Sequence, residues 1–391
     1  MSMIHTRDRD AAMFRKLLEN PPFGAEGGYN DAGDTLVNVS ADGVDLNLIW
    51  QEVKTALDAW NAERSAITNL LSYWTVNTAD AIPQATNDES FELASEYGEP
   101  EGVRAPSKHL LLGYTFRDYD KATRFTWKFL RDSTAEQIRA VANYALAADQ
   151  NLVQGTILER LFSPTAELNE WNHTCYGLYN GDSIVPPAYL GKTFTAPHTH
   201  YLVSGNAVID SGDLETSVRN VTEHGYNADS GAQLLAFVNP EQGEVISTWR
   251  AGKESAEGIV AKHDYIPSAG APAYLMPENL VGQVAPEKFN GLKVSGSYGP
   301  VWIIESDFIP AGYISVAATY GPNNPNNVVG VRQHVNAVYQ GLRQIPGKVP
   351  AYPLQDSFFA RGFGVGVRHR GGAAVMQIKA SGSYETPAIA K

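Results

Sequence analysis

A contrast near the middle of this chain limits what it can fold into. Residues 73–131 are rich in turns and polar at their centre, as in FELASEYGEPEGVRAPSK. Directly after them comes one long helical stretch, STAEQIRAVANYALAADQNLVQGTILERLF. Roughly sixty residues of strand and loop with so polar a middle cannot close a core alone. They must lie on something else, their own domain or another subunit. Leu110, Leu112, Tyr114 and Phe116 alternate in one segment, and Phe125, Trp127 and Phe129 in another. The DYDKA between them reads as the reversal of a β-hairpin.

The helix that follows carries its own start and stop. Ser133 and Glu136 have capping-box spacing, and Ile138, Val141, Ala145, Ala148 and Leu152 recur at steps of three and four. Ser163-Pro164 ends it. At 1.5 Å per residue, residues 134–162 span about 43 Å, and the alanine-rich seam suits close packing on a flat sheet. Gly155 costs roughly 1 kcal/mol inside it and is the expected place for a bend. Upstream, DLNLIWQEVKTALDAWNAERSAITNLL reads as one amphipathic helix, with Asp45 as N-cap and Leu46, Ile49, Val53, Leu57 and Trp60 on one face.

Downstream the pattern is α/β. DSGDLETSVRNVTEHGY reads as a helix capped by Ser211 or Asp213, AQLLAFVNP as a buried strand, and GEVISTWR as its continuation past a turn. GPVWIIESDFIPAGYISVAAT reads as two strands around a turn at residues 310–312. VVGVRQHVNAVY fits strand or helix, and DSFFARGFGVGVRHRGGAAVMQI reads as two strands around residues 370–372, followed by a tail.

Composition sets the outer limits. With 43% hydrophobic and 19% charged residues the chain folds, and its 35 glycines and 22 prolines imply many turns. Its 19 tyrosines and 7 tryptophans suit buried contacts that keep one polar edge, as interfaces require. A net charge of −13 argues against a surface built to coat nucleic acid. The single cysteine, Cys175, excludes an intrachain disulfide and a zinc site of several thiolates. No apolar signal core is visible, and no run approaches ~18 apolar residues, so no membrane partner is expected and a cytoplasmic origin is.

The sequence carries few patterns of chemistry-bearing residues. His198 and His200 in TAPHTHYLVSG form a His-x-His pair before an apolar run, a pattern that holds metals in many hydrolases. A catalytic zinc takes three protein groups, the nine histidines contain no second pair, and there is no His-Glu-x-x-His. The expectation is therefore polar residues at the start of a strand, with no metal and no cofactor; a metal-dependent hydrolase using His198 and His200 is the weakest alternative. GFGVGV, residues 362–367, has the glycines of a dinucleotide loop but opens no helix, so it reads as a strand. Cys175 near His173 reads as a small half-buried residue, and ESFELASEYGEPE as a solvated loop.

The order of parts resembles the major capsid proteins of tailed bacteriophages, the Hong Kong phage capsid fold. FRDYDKATRFTWKFLRDSTAEQIRAVANYALAADQNLVQGTILERLF is similar to the end of that family's E-loop feeding its spine helix. AVIDSGDLETSVRNVTEHGYNADSGAQLLAFVNP resembles its A-domain helix and central strand, and YGPVWIIESDFIPAGYISVA the strand pair leading back toward its P-domain. The resemblance implies an α+β fold with an N-terminal arm and helix over 1–70 and an E-loop over 71–131. The spine helix and the start of the P-domain would cover 132–185, the A-domain 186–345, and a C-terminal return to the P-domain 346–391.

The same resemblance implies a structural protein and not an enzyme. Copies would form hexamers and pentamers of an icosahedral phage head, assembled in a bacterial cytoplasm around double-stranded DNA that is not read by sequence. An encapsulin-type compartment shell is the alternative with the same fold. E-loops would lie on neighbouring subunits, with Tyr97, Arg104 and Lys108 as candidate inter-subunit contacts. Some relatives join an E-loop lysine covalently to another subunit's asparagine with the help of a glutamate. Lys108 matches by position only, and that chemistry is not carried over. About seventy residues precede the excursion, so scaffolding is expected to come from a separate protein or to be absent, with portal and cement proteins as further partners.

Overall fold

The computed structural model of the chain describes residues 39–62, 65–83, 98, 109–195, 197–270, 284–346 and 354–391. The long helix is present as Ala135–Phe162. Its capping box lies one residue beyond the expected pair: Thr134 accepts the Gln137 amide, and the Gln137 side chain accepts the Thr134 N–H. Upstream, the single expected helix is two, Leu46–Ala62 and Ala66–Leu71, and the Ser65 side chain caps the second. The expected face is buried nonetheless. Leu46 and Ile49 pack with Phe125 and Ile138, while Val53 and Leu57 pack with Ala145 and Phe359.

Gly155 answers to a close approach. The C-terminal residues run back over the long helix, and a Cβ at Gly155 would collide with the Ala390 carbonyl. Tyr384 donates to the Phe162 carbonyl at 2.8 Å, Lys391 pairs with Glu159, and Ile389 packs on the main core. The stretch read as a tail is thus a docked strap.

Among the described residues a seven-stranded sheet runs in the order Tyr265–Pro267, Gly296–Tyr298, Val301–Glu305, Gln233–Val238, Tyr313–Thr319, Ala373–Gln377, Tyr201–Val203. Period-two alternation divides it between two cores. Leu235 and Phe237 join Val153, Ile157, Leu161 and Phe162 of the long helix. Leu234, Ala236 and Val238 join Leu214 and Val221 of the helix Ser211–Thr222 and Ile246 of the helix Pro240–Ser247. A sheet covered on both faces favours apolar side chains at successive positions, hence the run 234–238 and the stretch 313–318, which only Ser315 interrupts.

Three expectations need correction here. The two strands around residues 310–312 are not partners, because Gln233–Val238 lies between them, parallel to one and antiparallel to the other. GEVISTWR does not extend that strand: Asn239 caps a helix and Pro240 fills its first turn. The cap of the helix Ser211–Thr222 is Asp210, in a reciprocal box with Asp213.

The second sheet is built around Leu354–Val367. Arg117–Thr126 pairs with it on one edge, and Val329–Gln333 and Arg343–Pro346 pair on the other. Ser72–Thr75 adds parallel to Val329–Gln333. DYDKA is therefore no reversal; residues 118–122 sit mid-strand opposite 358–362. Trp127–Asp132 is a short helix capped by Thr126, not a continuing strand. The last two strands flank residues 370–372 but belong to different sheets. Buried Arg370 fixes that crossing by donating to the Gly177, Leu178 and Ile184 carbonyls and pairing with Asp182.

GFGVGV is a strand, as expected, and its glycines have a steric reason. Phe363, Val365 and Val367 are buried in the main core. A Cβ on Gly364 would overlap the Thr115 carbonyl, and one on Gly366 would meet the Gly113 carbonyl and the Tyr114 ring. Residues 113–116 lie across this strand in direct contact.

Candidate functional site

Two places merit attention: the root of the polar excursion and the histidine pair. The excursion leaves and returns through a two-stranded pairing, Ala79–Pro83 against His109–Gly113, whose last partners are Pro83 and His109. Its root is held by polar contacts inside the chain. Tyr73 and Tyr114 hydroxyls meet at 2.6 Å, and Tyr114 donates to Asp80 at 2.6 Å. Arg368 lies 3.5 Å from the same carboxylate. The Asn169 side-chain amide donates to the Thr78 and Tyr114 carbonyls at 3.0 and 3.1 Å. Both arms of the excursion are thus parts of this chain's own fold, which narrows the expectation that all of 73–131 needs outside support. Tyr97, Arg104 and Lys108, and most of the carboxylate-rich ESFELASEYGEPE, lie outside the described residues.

The histidine pair has gained a partner. His198 and His200 precede the edge strand Tyr201–Val203, and His224 follows the C-terminus of the helix Ser211–Thr222. Folding brings the three together: His198 Nε2 lies 3.2 Å from His200 Nε2 and 2.9 Å from His224 Nε2. All three ring nitrogens fall within 4.8 Å of one another. His200 is fully buried, and its Nδ1 faces the Ala373 carbonyl at 2.6 Å, so Nδ1 carries the proton and Nε2 presents a lone pair. Phe194 stacks on the His224 ring at 3.6 Å between centroids, and the buried His224 Nδ1 has no hydrogen-bond partner.

Burial disfavours the imidazolium here. Burial, and then the neighbouring imidazoles and Arg370, hold His200 down at about 3 against the opposing bond to Ala373. Burial and then His198 lower His224 to about 4, and burial lowers His198 as well. Sequence spacing gave no reason to join His224 to a pair more than twenty positions away on a different element; only the packing of the helix end on the sheet edge does so. Cys175 is buried and held near about 11 by burial, which leaves it an unreactive thiol.

Neither a protein-family model nor a curated protein matches the sequence. Solved structures do. The chain is 39% identical to one titled "Mycobacterium phage Patience", with a TM-score of 0.70, over 94% of this chain and 97% of that one. It is 11% identical to a chain of the bacteriophage PhiM1 mature capsid (TM-score 0.47, 81% and 88% covered). It is 12% identical to the SrpI encapsulin of Synechococcus elongatus (TM-score 0.43, 86% and 98% covered). The phage match is much the nearer of these in both identity and geometry. On that likeness and the α+β fold described above, the chain belongs to the tailed-bacteriophage major capsid protein family and is a structural protein of the virion's capsid shell.

Proposed function

We propose that copies of this chain assemble as hexamers and pentamers into an icosahedral head, with residues 84–108 of each subunit laid across a neighbour. In this reading residues 71–131 are the E-loop, its two arms built into the subunit's own sheet and its tip given to assembly. The arm and helix over 1–70, the spine helix and P-domain start over 132–185, the A-domain over 186–345 and the return over 346–391 complete the subunit. The observation that carries the reading is the two-stranded pairing Ala79–Pro83/His109–Gly113, which joins the two ends of the polar segment to the subunit's own fold. Tyr97, Arg104 and Lys108 belong to that segment and supply its contacts.

Exposed apolar side chains add support. Trp171 is 63% exposed, and Val335 and Val338, in and beside the short helical turn Ala337–Tyr339, are 76% and 69% exposed. A shell with large, repeated, partly apolar interfaces covers such residues. The net charge of −13 fits a wall that encloses double-stranded DNA without adhering to it or reading its sequence. Portal, scaffolding and cement proteins are the remaining partners, assembly takes place in the host cytoplasm, and the role is structural, with no reaction catalysed.

The test replaces residues 84–108 by a short Gly-Ser turn. Because Pro83 and His109 already face each other, the subunit should keep its circular-dichroism spectrum and unfold cooperatively while failing to form shells. Closed shells from the shortened chain would contradict the proposal.

A further inference from the structure

We propose that His198, His200 and His224 bind one divalent transition-metal ion, zinc in the first instance, through their Nε2 atoms, and that the ion fastens the end of the helix Ser211–Thr222 to the edge of the seven-stranded sheet. Proton bookkeeping leads there. His200 keeps its proton on Nδ1, facing the Ala373 carbonyl, so its Nε2 offers only a lone pair. His198 Nε2 stands 3.2 Å from that lone pair and 2.9 Å from His224 Nε2. A single N–H on His198 points at one neighbour or the other. With neutral rings, one of the two close contacts is always left without a hydrogen bond. A cation facing all three lone pairs removes the conflict.

The spacing fits. Zinc held by imidazole at about 2.0–2.1 Å in a tetrahedron separates its ligand nitrogens by about 3.3 Å. The two short edges, 3.2 and 2.9 Å, lie within a few tenths of an ångström of that value, and the third lies within 4.8 Å, so the ion would draw the rings closer together. The surroundings also fit. Ligating histidines are characteristically fixed by a bond from their other ring nitrogen, the part the Ala373 carbonyl plays for His200. Phe194, stacked on His224, fixes the second ring by packing instead. His198 is only half-buried, which leaves a fourth position for water. An all-imidazole set selects zinc, copper, nickel or cobalt over calcium or magnesium, which prefer oxygen.

Three elements meet at the ion: the segment before Tyr201–Val203, the strand Ala373–Gln377 through Ala373, and the helix end at His224. The role is a clasp, so the readouts are metal content and stability. Purified protein is stripped with a chelator, desalted, incubated with zinc sulfate, desalted again and analysed by elemental mass spectrometry. One zinc per subunit is expected, together with a higher unfolding temperature than the stripped protein. Cobalt in place of zinc should give the strong visible absorption of a tetrahedral site.

His198→Gln and His224→Gln, at the less buried positions, should each lower uptake at least tenfold and abolish the thermal shift. If a variant does not fold, the stripped wild-type protein with and without zinc decides alone. Uptake that never approaches one ion per subunit, uptake unchanged in both variants, or an unfolding temperature indifferent to zinc would each overturn the proposal.

Discussion

At the scale of single residues, this fold depends on a few positions where the alternative side chain has no room or the partner has no substitute. Gly364 is one. Helix and strand propensities favour almost any residue over glycine in a strand, yet a methyl here meets the Thr115 carbonyl. Gly364→Ala should destabilise by at least about 1–3 kcal/mol, the usual range for overpacking, and lower the unfolding temperature. An unchanged midpoint would show that residues 113–116 do not cross the strand. Asp149 is another: it is buried against Arg361 and accepts the Trp60 indole N–H at 2.9 Å. Arg361→Ala leaves that carboxylate without its cation and should cost about 3–5 kcal/mol, measured by denaturant titration. His369 supplies a pH dependence. Its Nε2 donates to the Pro325 carbonyl at 3.1 Å and its Nδ1 faces the Tyr226 hydroxyl at 3.3 Å, a neutral ring satisfied on both sides. Burial lowers it from 6.5 to about 4 against the opposing bond to Pro325, with Arg368 acting in the same direction as burial and Asp80 against. Between those values the unfolded chain binds the extra proton and the folded chain does not. The contribution is therefore complete above pH 6.5 and lost as pH falls toward 4. His369→Gln should flatten stability against pH in that window, and an identical slope in the variant would contradict this assignment.

At the scale of elements, the docked C-terminal strap sets two effects against each other at Gly155. Alanine would gain about 1 kcal/mol of helix propensity, but its methyl would displace the Ala390 carbonyl and with it the contacts of Tyr384, Ile389 and Lys391. The steric term acts at a fully packed crossing, so Gly155→Ala should release the strap and speed proteolysis after Lys379. Slower cleavage would mean that propensity wins. Elements were also what the sequence disclosed best. The long helix, the buried strand ending before Asn239 and the strand reading of GFGVGV could be read from periodicity and turn residues alone, because each is dictated by local spacing. Pairings could not. DYDKA has the composition of a turn, yet its strand is completed by residues more than two hundred positions later. The strands on either side of residues 310–312 are separated by one that precedes both. His224 joins His198 and His200 for the same reason: the convergence exists only after a helix end packs on a sheet edge.

At the scale of the whole molecule, the family likeness was visible in the order of parts, while the division of labour inside the excursion was not. Its arms are anchored by Tyr73, Asp80, Tyr114 and Asn169 to the subunit's own sheet, contacts that pair residues far apart in sequence. The account rests on residues 84–108 serving the neighbour and not the subunit that carries them. Cryo-electron microscopy of assembled particles measures this directly. The account predicts closed shells of pentamers and hexamers in which density for residues 84–108 of one subunit lies on an adjacent subunit. Density that folds this segment back on its own subunit, with no neighbour in contact, would contradict it.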